Sequence, residues 1–203
     1  MMFFKSIFII LLSAVAYGSV LNFEDLSINN EINQNCGSFH FTAPYHGFLI
    51  TSPTAPGATV YNATQTPWCR QSSSGAGPLH LFKPISKPNV LQGYGSELKF
   101  TAVERKFRVE RLGWASHPRY DLKNIDPNAA VVAVFTGRNA AGRVVRTERK
   151  VYTDTIPGPF VVELKGFRGL KSFEIRNEWK YTQDNVLKTE GAAIFVDDFV
   201  YRF

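Results

Sequence analysis

Ala193-Ile194-Phe195-Val196-Asp197-Asp198-Phe199-Val200-Tyr201-Arg202-Phe203 is an apolar β-type run broken by an acidic pair. A counterpart stands near the start, Leu21-Asn22-Phe23-Glu24-Asp25-Leu26. A carboxylate in an apolar strand is costly unless it is paired or bound to a metal. The two stretches are therefore expected to lie side by side with their acids converging. Two such strands meeting would offer a site for a hard cation, calcium first. Strand alternation sends Asp197 and Asp198 to opposite faces, and Glu24 and Asp25 likewise. Only one of each pair reaches a shared site unless the strand bulges. The competing reading leaves these acids solvated at sheet edges or paired with Arg202.

Working inward, the same two-residue period recurs. Phe160, Val162 and Leu164 alternate with Val161, Glu163 and Lys165, and Phe173 and Ile175 with Glu174 and Arg176. That spacing is a strand signal rather than a helical one. Ala130 to Thr136 is almost wholly apolar and predicts a central strand. Asn139-Ala140-Ala141-Gly142 then reads as a hairpin turn into Arg143 to Tyr152. Gly158-Pro159 and Gly166 punctuate the next turns. The expectation is an all-β, two-sheet antiparallel sandwich of about ten strands with adjacent termini. Thr51 to Pro88 is the exception, dense in Pro, Gly, Ser and Thr apart from Val60-Tyr61 and Leu79 to Phe82. It reads as one long loop, and Ser116 to Asn128 as a second.

Residues 1–18 read as a secretory signal peptide: Lys5, an apolar run from Ile7 to Ala16, then small residues through Gly18 and Ser19. The run is shorter than the roughly 20 residues that a spanning helix requires. Residues 19–203 are then one secreted domain, expected to be a monomer with no membrane insertion. The net charge of the full sequence is +6. Its cations are spread from Lys83 to Arg202, which favours acidic surfaces such as anionic polysaccharide or phospholipid. Nucleic acid is a poor partner for a secreted chain without a recognition motif. The two cysteines, Cys36 and Cys69, read as a disulfide in an oxidising compartment. Such a link is worth roughly 3–4 kcal/mol in the chain-entropy account. A two-cysteine metal site or a catalytic thiol is the alternative. Asn62-Ala63-Thr64 is a glycosylation sequon in a eukaryotic host.

Several short stretches resemble secreted jelly-roll domains of the galactose-binding-like group, which includes many carbohydrate-binding modules. They are Phe23-Glu24-Asp25-Leu26 with Tyr45-His46-Gly47-Phe48, Lys106-Phe107-Arg108-Val109, Phe135 to Val145, Phe167 to Ile175, and Phe195-Val196-Asp197-Asp198-Phe199. The first looks like that group's first strand and the last like its closing strand. The resemblance implies a structural calcium against these two strands, with Glu24 and with Asp197 or Asp198 as carboxylate ligands. It also implies a non-catalytic module that recognises extracellular carbohydrate.

Sugar recognition needs an aromatic ring for stacking and polar groups for the hydroxyls. Trp68, beside Cys69 and Arg70, is one candidate, and Tyr120 with Arg119 and Asp121 is another. Packing of Trp68 over the disulfide as core is the competing reading. Trp114 and Trp179 stand in strand-like contexts and read as core or sheet-face residues. Arg105, Lys106, Arg108 and Arg111 could join Arg138, Arg143, Arg146, Arg149 and Lys150 in one basic sheet surface. Such charges are more often the solvated side of a strand. The sequence has no G-x-S-x-G, H-E-x-x-H, phosphate loop or C-x-x-C. Whether the chain is an enzyme is left open, with the balance against it. The alternatives to a binding module are a polysaccharide-degrading enzyme on the same scaffold and a secreted effector or matrix protein that binds other proteins.

Overall fold

A computed structural model of the chain describes residues 18–26, 28, 38–53, 57–62, 89–93, 95–117, 126–153 and 159–203. These residues form thirteen strands: β1 (Ser19–Leu21), β2 (Ser38–His40), β3 (Phe48–Thr51), β4 (Ala58–Asn62), β5 (Asn89–Gly93), β6 (Glu97–Ala102), β7 (Arg108–His117), β8 (Ala130–Arg138), β9 (Val144–Tyr152), β10 (Phe160–Glu163), β11 (Ser172–Gln183), β12 (Val186–Gly191) and β13 (Ala193–Arg202). None of the described residues is helical. The first sheet runs β10-β7-β13-β5-β4-β2, with β1 also on β13. The second runs β3-β6-β11-β8-β9, with β12 also on β11. Every pairing is antiparallel. The chain is therefore a two-sheet β-sandwich with adjacent ends, because Ser19, Val20 and Leu21 pair with Tyr201, Val200 and Phe199.

Alternation fills the space between the sheets. Leu98, Phe100 and Ala102 of β6 are buried while their neighbours are partly exposed. Phe100 stacks on Phe199 of β13 with ring centres 4.4 Å apart, and Phe199 meets Phe173 of β11 at 5.8 Å. These three rings join the sheets through the middle of the core. At one edge Tyr152 of β9 stacks on Trp114 of β7 at 4.5 Å and on Phe160 of β10 at 4.7 Å. Each aromatic buries about 150–250 Å² of surface, so such contacts dominate the cohesion. Trp114 and Trp179 are both buried, as strand-like residues should be. The Trp114 indole N–H donates to Asn177 Oδ1 at 3.3 Å, and Asn177 Nδ2 donates to the Ala193 carbonyl at 3.3 Å. This buried amide links β7, β11 and β13, and its partners offset the cost of its burial.

Three details depart from expectation. Phe23-Glu24-Asp25-Leu26 is a turn after β1, closed by the Leu26 N–H to the Phe23 carbonyl at 3.2 Å, not the first strand. The 51–88 stretch is not all loop, since β4 lies within it and pairs with both β2 and β5. The basic residues of β7 and those of β8 and β9 belong to different sheets, so they do not form one sheet surface. The 1–17 leader, Cys36 and Cys69 lie outside the described residues.

Candidate functional site

The first and last strands do come together. β13 is flanked by β7 on one edge, and on the other by β5 as far as Val196 and by β1 from Phe199 onward. The changeover falls at Asp197-Asp198. The pairing with β7 slips there, with Asp197 opposite Gly113 and Val200 opposite Arg111, so β13 carries an extra residue. Asp198 takes the left-handed φ of 44°. This is a β-bulge, and it reverses which residues face inward. Ile194 and Val196 point into the main core before it, and Phe199 and Tyr201 after it. Without the extra residue Asp198 would enter the core and Phe199 would leave it. Asp197 is fully buried, and its Oδ1 accepts the Asp198 N–H at 2.9 Å.

Across the junction, Glu24 Oε1 accepts the Asn89 N–H at 2.9 Å. The Asn89 side-chain amide donates to the carbonyls of Phe23 and Leu26, at 2.7 and 3.2 Å, and so caps the turn. Asn89 Oδ1 is buried with no hydrogen-bond partner. A buried oxygen left bare is costly, and its exceptions call for an explanation. The donors near the junction are all oxygens, which suits a hard cation in chemistry. Among the described residues no group of three His, Cys, Asp or Glu side chains is placed to hold a metal. Backbone carbonyls would have to complete any such shell.

Asp25, the other acid of the turn, faces the opposite way. It accepts the Tyr45 hydroxyl on Oδ1 and pairs with His46 Nε2 on Oδ2 at 2.8 Å. The Tyr45 hydroxyl is the larger of the influences that hold the Asp25 carboxyl below the usual range. Tyr45 to Phe48 is a tight hairpin, with reciprocal N–H to carbonyl bonds of 2.8 and 2.9 Å. His46 and Gly47 both have positive φ, 47° and 84°, the two-residue turn whose twist suits a hairpin. The turn brings the Gly47 backbone against the Phe203 ring. A Cβ built on Gly47 would lie 2.9 Å from Phe203 Cζ. Phe203 also stacks on Phe48 at 5.3 Å and meets Tyr201 edge-on at 5.2 Å. The ring is gripped from three sides yet remains 50% exposed.

Phe203 stands between two concavities. One, of about 440 Å³, is lined by Pro44, His46, Gly47, Val103, Glu104 and Arg105 together with the ring. The other, of about 340 Å³, lies among Lys106, Phe107, Arg108, Arg168, Gly169 and Arg202. Both fall within the size of ordinary ligand pockets. The sheet sets the cations of the second. Arg108 and Arg202 are cross-strand partners in the β7–β13 pairing. Arg168 is brought alongside by the bridge between Phe107 and Leu170, whose N–H to carbonyl bonds are 3.0 and 2.8 Å. Glu110 pairs with Arg202 Nε at 2.8 Å and Arg108 Nη2 at 3.1 Å.

Of the residues the sequence singled out for sugar binding, Trp68, Arg70, Arg119, Tyr120 and Asp121 lie outside the described residues. Asn62 ends β4, its backbone opposite Asn89. Sequence reasoning missed Phe203 and Gly47. The signal for Gly47 was slight, since a glycine marks a turn but His-Gly is not one of the strong hairpin pairs.

The described residues thus form a two-sheet β-sandwich with two hollows that share the Phe203 ring. No family model and no curated protein matches the chain. Solved structures do. A DUF4465 family protein from Bacteroides caccae superposes with a TM-score of 0.57 at 11% identity, over 91% of this chain and 98% of that one. A DUF4465 family protein from Bacteroides ovatus gives 0.51 at 9% identity, over 72% of each. TmCBM61, solved in complex with beta-1,4-galactotriose, gives 0.33 at 11% identity, over 77% of this chain and 88% of that one. At these identities the likeness to the first two is one of fold.

Proposed function

We propose that the chain is a secreted, non-catalytic binding module for extracellular carbohydrate, with Phe203 as its stacking platform. The carrying observation is that ring: half exposed, immobilised by Gly47, Phe48 and Tyr201, and bordered on both sides by ligand-sized hollows lined with charged side chains. A sugar face would lie on the ring, with its hydroxyls bonded by groups in the flanking hollows. Asp25, Tyr45 and His46 border the site but are tied to one another, which gives them a positioning role. The test is a glycan array with the wild type and Phe203→Ala. The variant should lose about tenfold in affinity, the scale of one aromatic contact with its buried area. No glycan bound by the wild type, or equal binding by the variant, would refute the reading.

The same reading carries a structural calcium where the termini meet. Glu24 and one of Asp197 and Asp198 would supply carboxylates, with the bare Asn89 Oδ1 as a neutral oxygen and backbone carbonyls completing the shell. The ion would fix the ends of the chain and not touch the ligand. A cation held well above its dissociation constant stabilises by a few kcal/mol, or roughly 5–10 °C for a domain this size. The melting temperature should fall by that amount in EDTA and recover with calcium. Glu24→Gln should be insensitive to both. A melt unmoved by EDTA would remove the ion.

A further inference from the structure

We propose that the hollow beside Phe203 selects an acidic sugar, through Lys106, Arg108, Arg168 and Arg202. This deepens the carbohydrate-binding reading and rests on it. Four cations line this hollow, and among the described residues the carboxylate that pairs with any of them is Glu110. Glu110 spends its charge on Arg108 and Arg202, and in doing so fixes both guanidinium groups. Each guanidinium has five N–H donors, so both retain donors for a ligand. Lys106 and Arg168 have no carboxylate partner among the described residues. Cations held this close repel one another, and an anion placed among them relieves that repulsion.

The two sides of the ring differ. The other hollow carries Arg105 with Glu104 and with His46, itself paired to Asp25, so its charge is mixed. A sugar stacked on Phe203 is thereby oriented. Its carboxylate or sulfate turns to the Lys106–Arg168 side, and its hydroxyls meet the donors and acceptors of the Glu104–Arg105 side. Both hollows share the one ring, so a sugar stacked on it can be contacted from each. Uronate and sulfate share this chemistry, as planar or tetrahedral oxyanions that accept charge-assisted hydrogen bonds.

The experiment is calorimetric titration of the full chain with an oligogalacturonate, a chondroitin sulfate oligosaccharide and a neutral cello-oligosaccharide, at low and high salt. Phosphatidylserine vesicles form a separate arm. At least one acidic sugar should bind about tenfold or more tighter than the neutral one at low salt, the scale of a hydrogen bond to a charged group. The preference should shrink as salt screens it. Lys106 and Arg168 are exposed, so Lys106→Gln with Arg168→Gln should melt like the wild type. That double variant should lose the acidic preference. Whichever of uronate and sulfate binds better names the anion. Equal binding of neutral and acidic sugars overturns acid selection and leaves the carbohydrate reading standing. A preference untouched by the double variant overturns this site. Vesicle binding without any glycan binding overturns both readings.

Discussion

At Gly47 a missing Cβ sets the position of the ring on which the proposed function depends. The residue has a φ of +84°, and a Cβ there would lie 2.9 Å from Phe203 Cζ. Gly47→Ala therefore carries two penalties. Left-handed backbone costs an L-residue about 1–2 kcal/mol, and the ring must move away from the new methyl group. The expected outcome is a stability loss of about that size in urea, together with weaker glycan binding. Asp25→Asn is the useful companion, because it loosens the clasp on Tyr45 and His46 without adding bulk at the ring. A Gly47→Ala protein with wild-type stability and wild-type affinity would show that the contact does not hold the ring.

At the scale of strands and turns, legibility followed the range of the signal. The period-two runs became β10 and β11, the apolar run became β8, and the Asn139–Gly142 turn formed as read. There Asn139 Oδ1 accepts the N–H groups of Ala141 and Arg143, each at 3.0 Å. Those features are written in adjacent residues. The adjacency of the first and last segments was also legible, although the acids that suggested it lie in the turn after β1 rather than in the strand. The bulge at Asp198 was legible only as a condition, since a bulge is a matter of register against β7 rather than of local composition. β4 was hidden by the Pro, Gly, Ser and Thr around it; its pairing with β2 and β5 overrides that local preference. The ring site was not legible at all. Phe203 continues the alternation of Phe199 and Tyr201 and reads as one more core residue. Its exposure arises because residues 44–47, 103–108, 168–169 and 202–203 meet at one end of the sandwich, which no single stretch encodes.

For the molecule as a whole, tyrosines wholly or partly buried and clasped aspartates set opposite limits on stability. Burial, followed by the charge of Glu148, pushes the Tyr152 hydroxyl up to about 12. Burial likewise raises Tyr201, and burial with the Asp25 carboxylate raises Tyr45. A group raised in the folded state contributes stability that is complete below its unfolded value, near pH 10, and lost as pH climbs through the folded value. On the acid side, the N–H groups of Thr182 and then Asn128 hold the Asp126 carboxyl down, at 2.6 and 2.7 Å, and the Tyr45 hydroxyl does the same for Asp25. Their contribution is complete above about pH 4 and is lost as pH falls through the lowered values. Urea midpoints should therefore hold level between these limits with respect to these groups, and decline beyond pH 10 and below pH 4. Tyr152→Phe cannot ionise and keeps the stack on Trp114, so it should retain more of its midpoint between pH 10 and 12 than the wild type. Asp126→Asn should be less stable at neutral pH and lose less on acidification. If Tyr152→Phe declines in parallel with the wild type across the alkaline range, the hydroxyl is not what the sandwich protects, and the limit lies with the other two tyrosines.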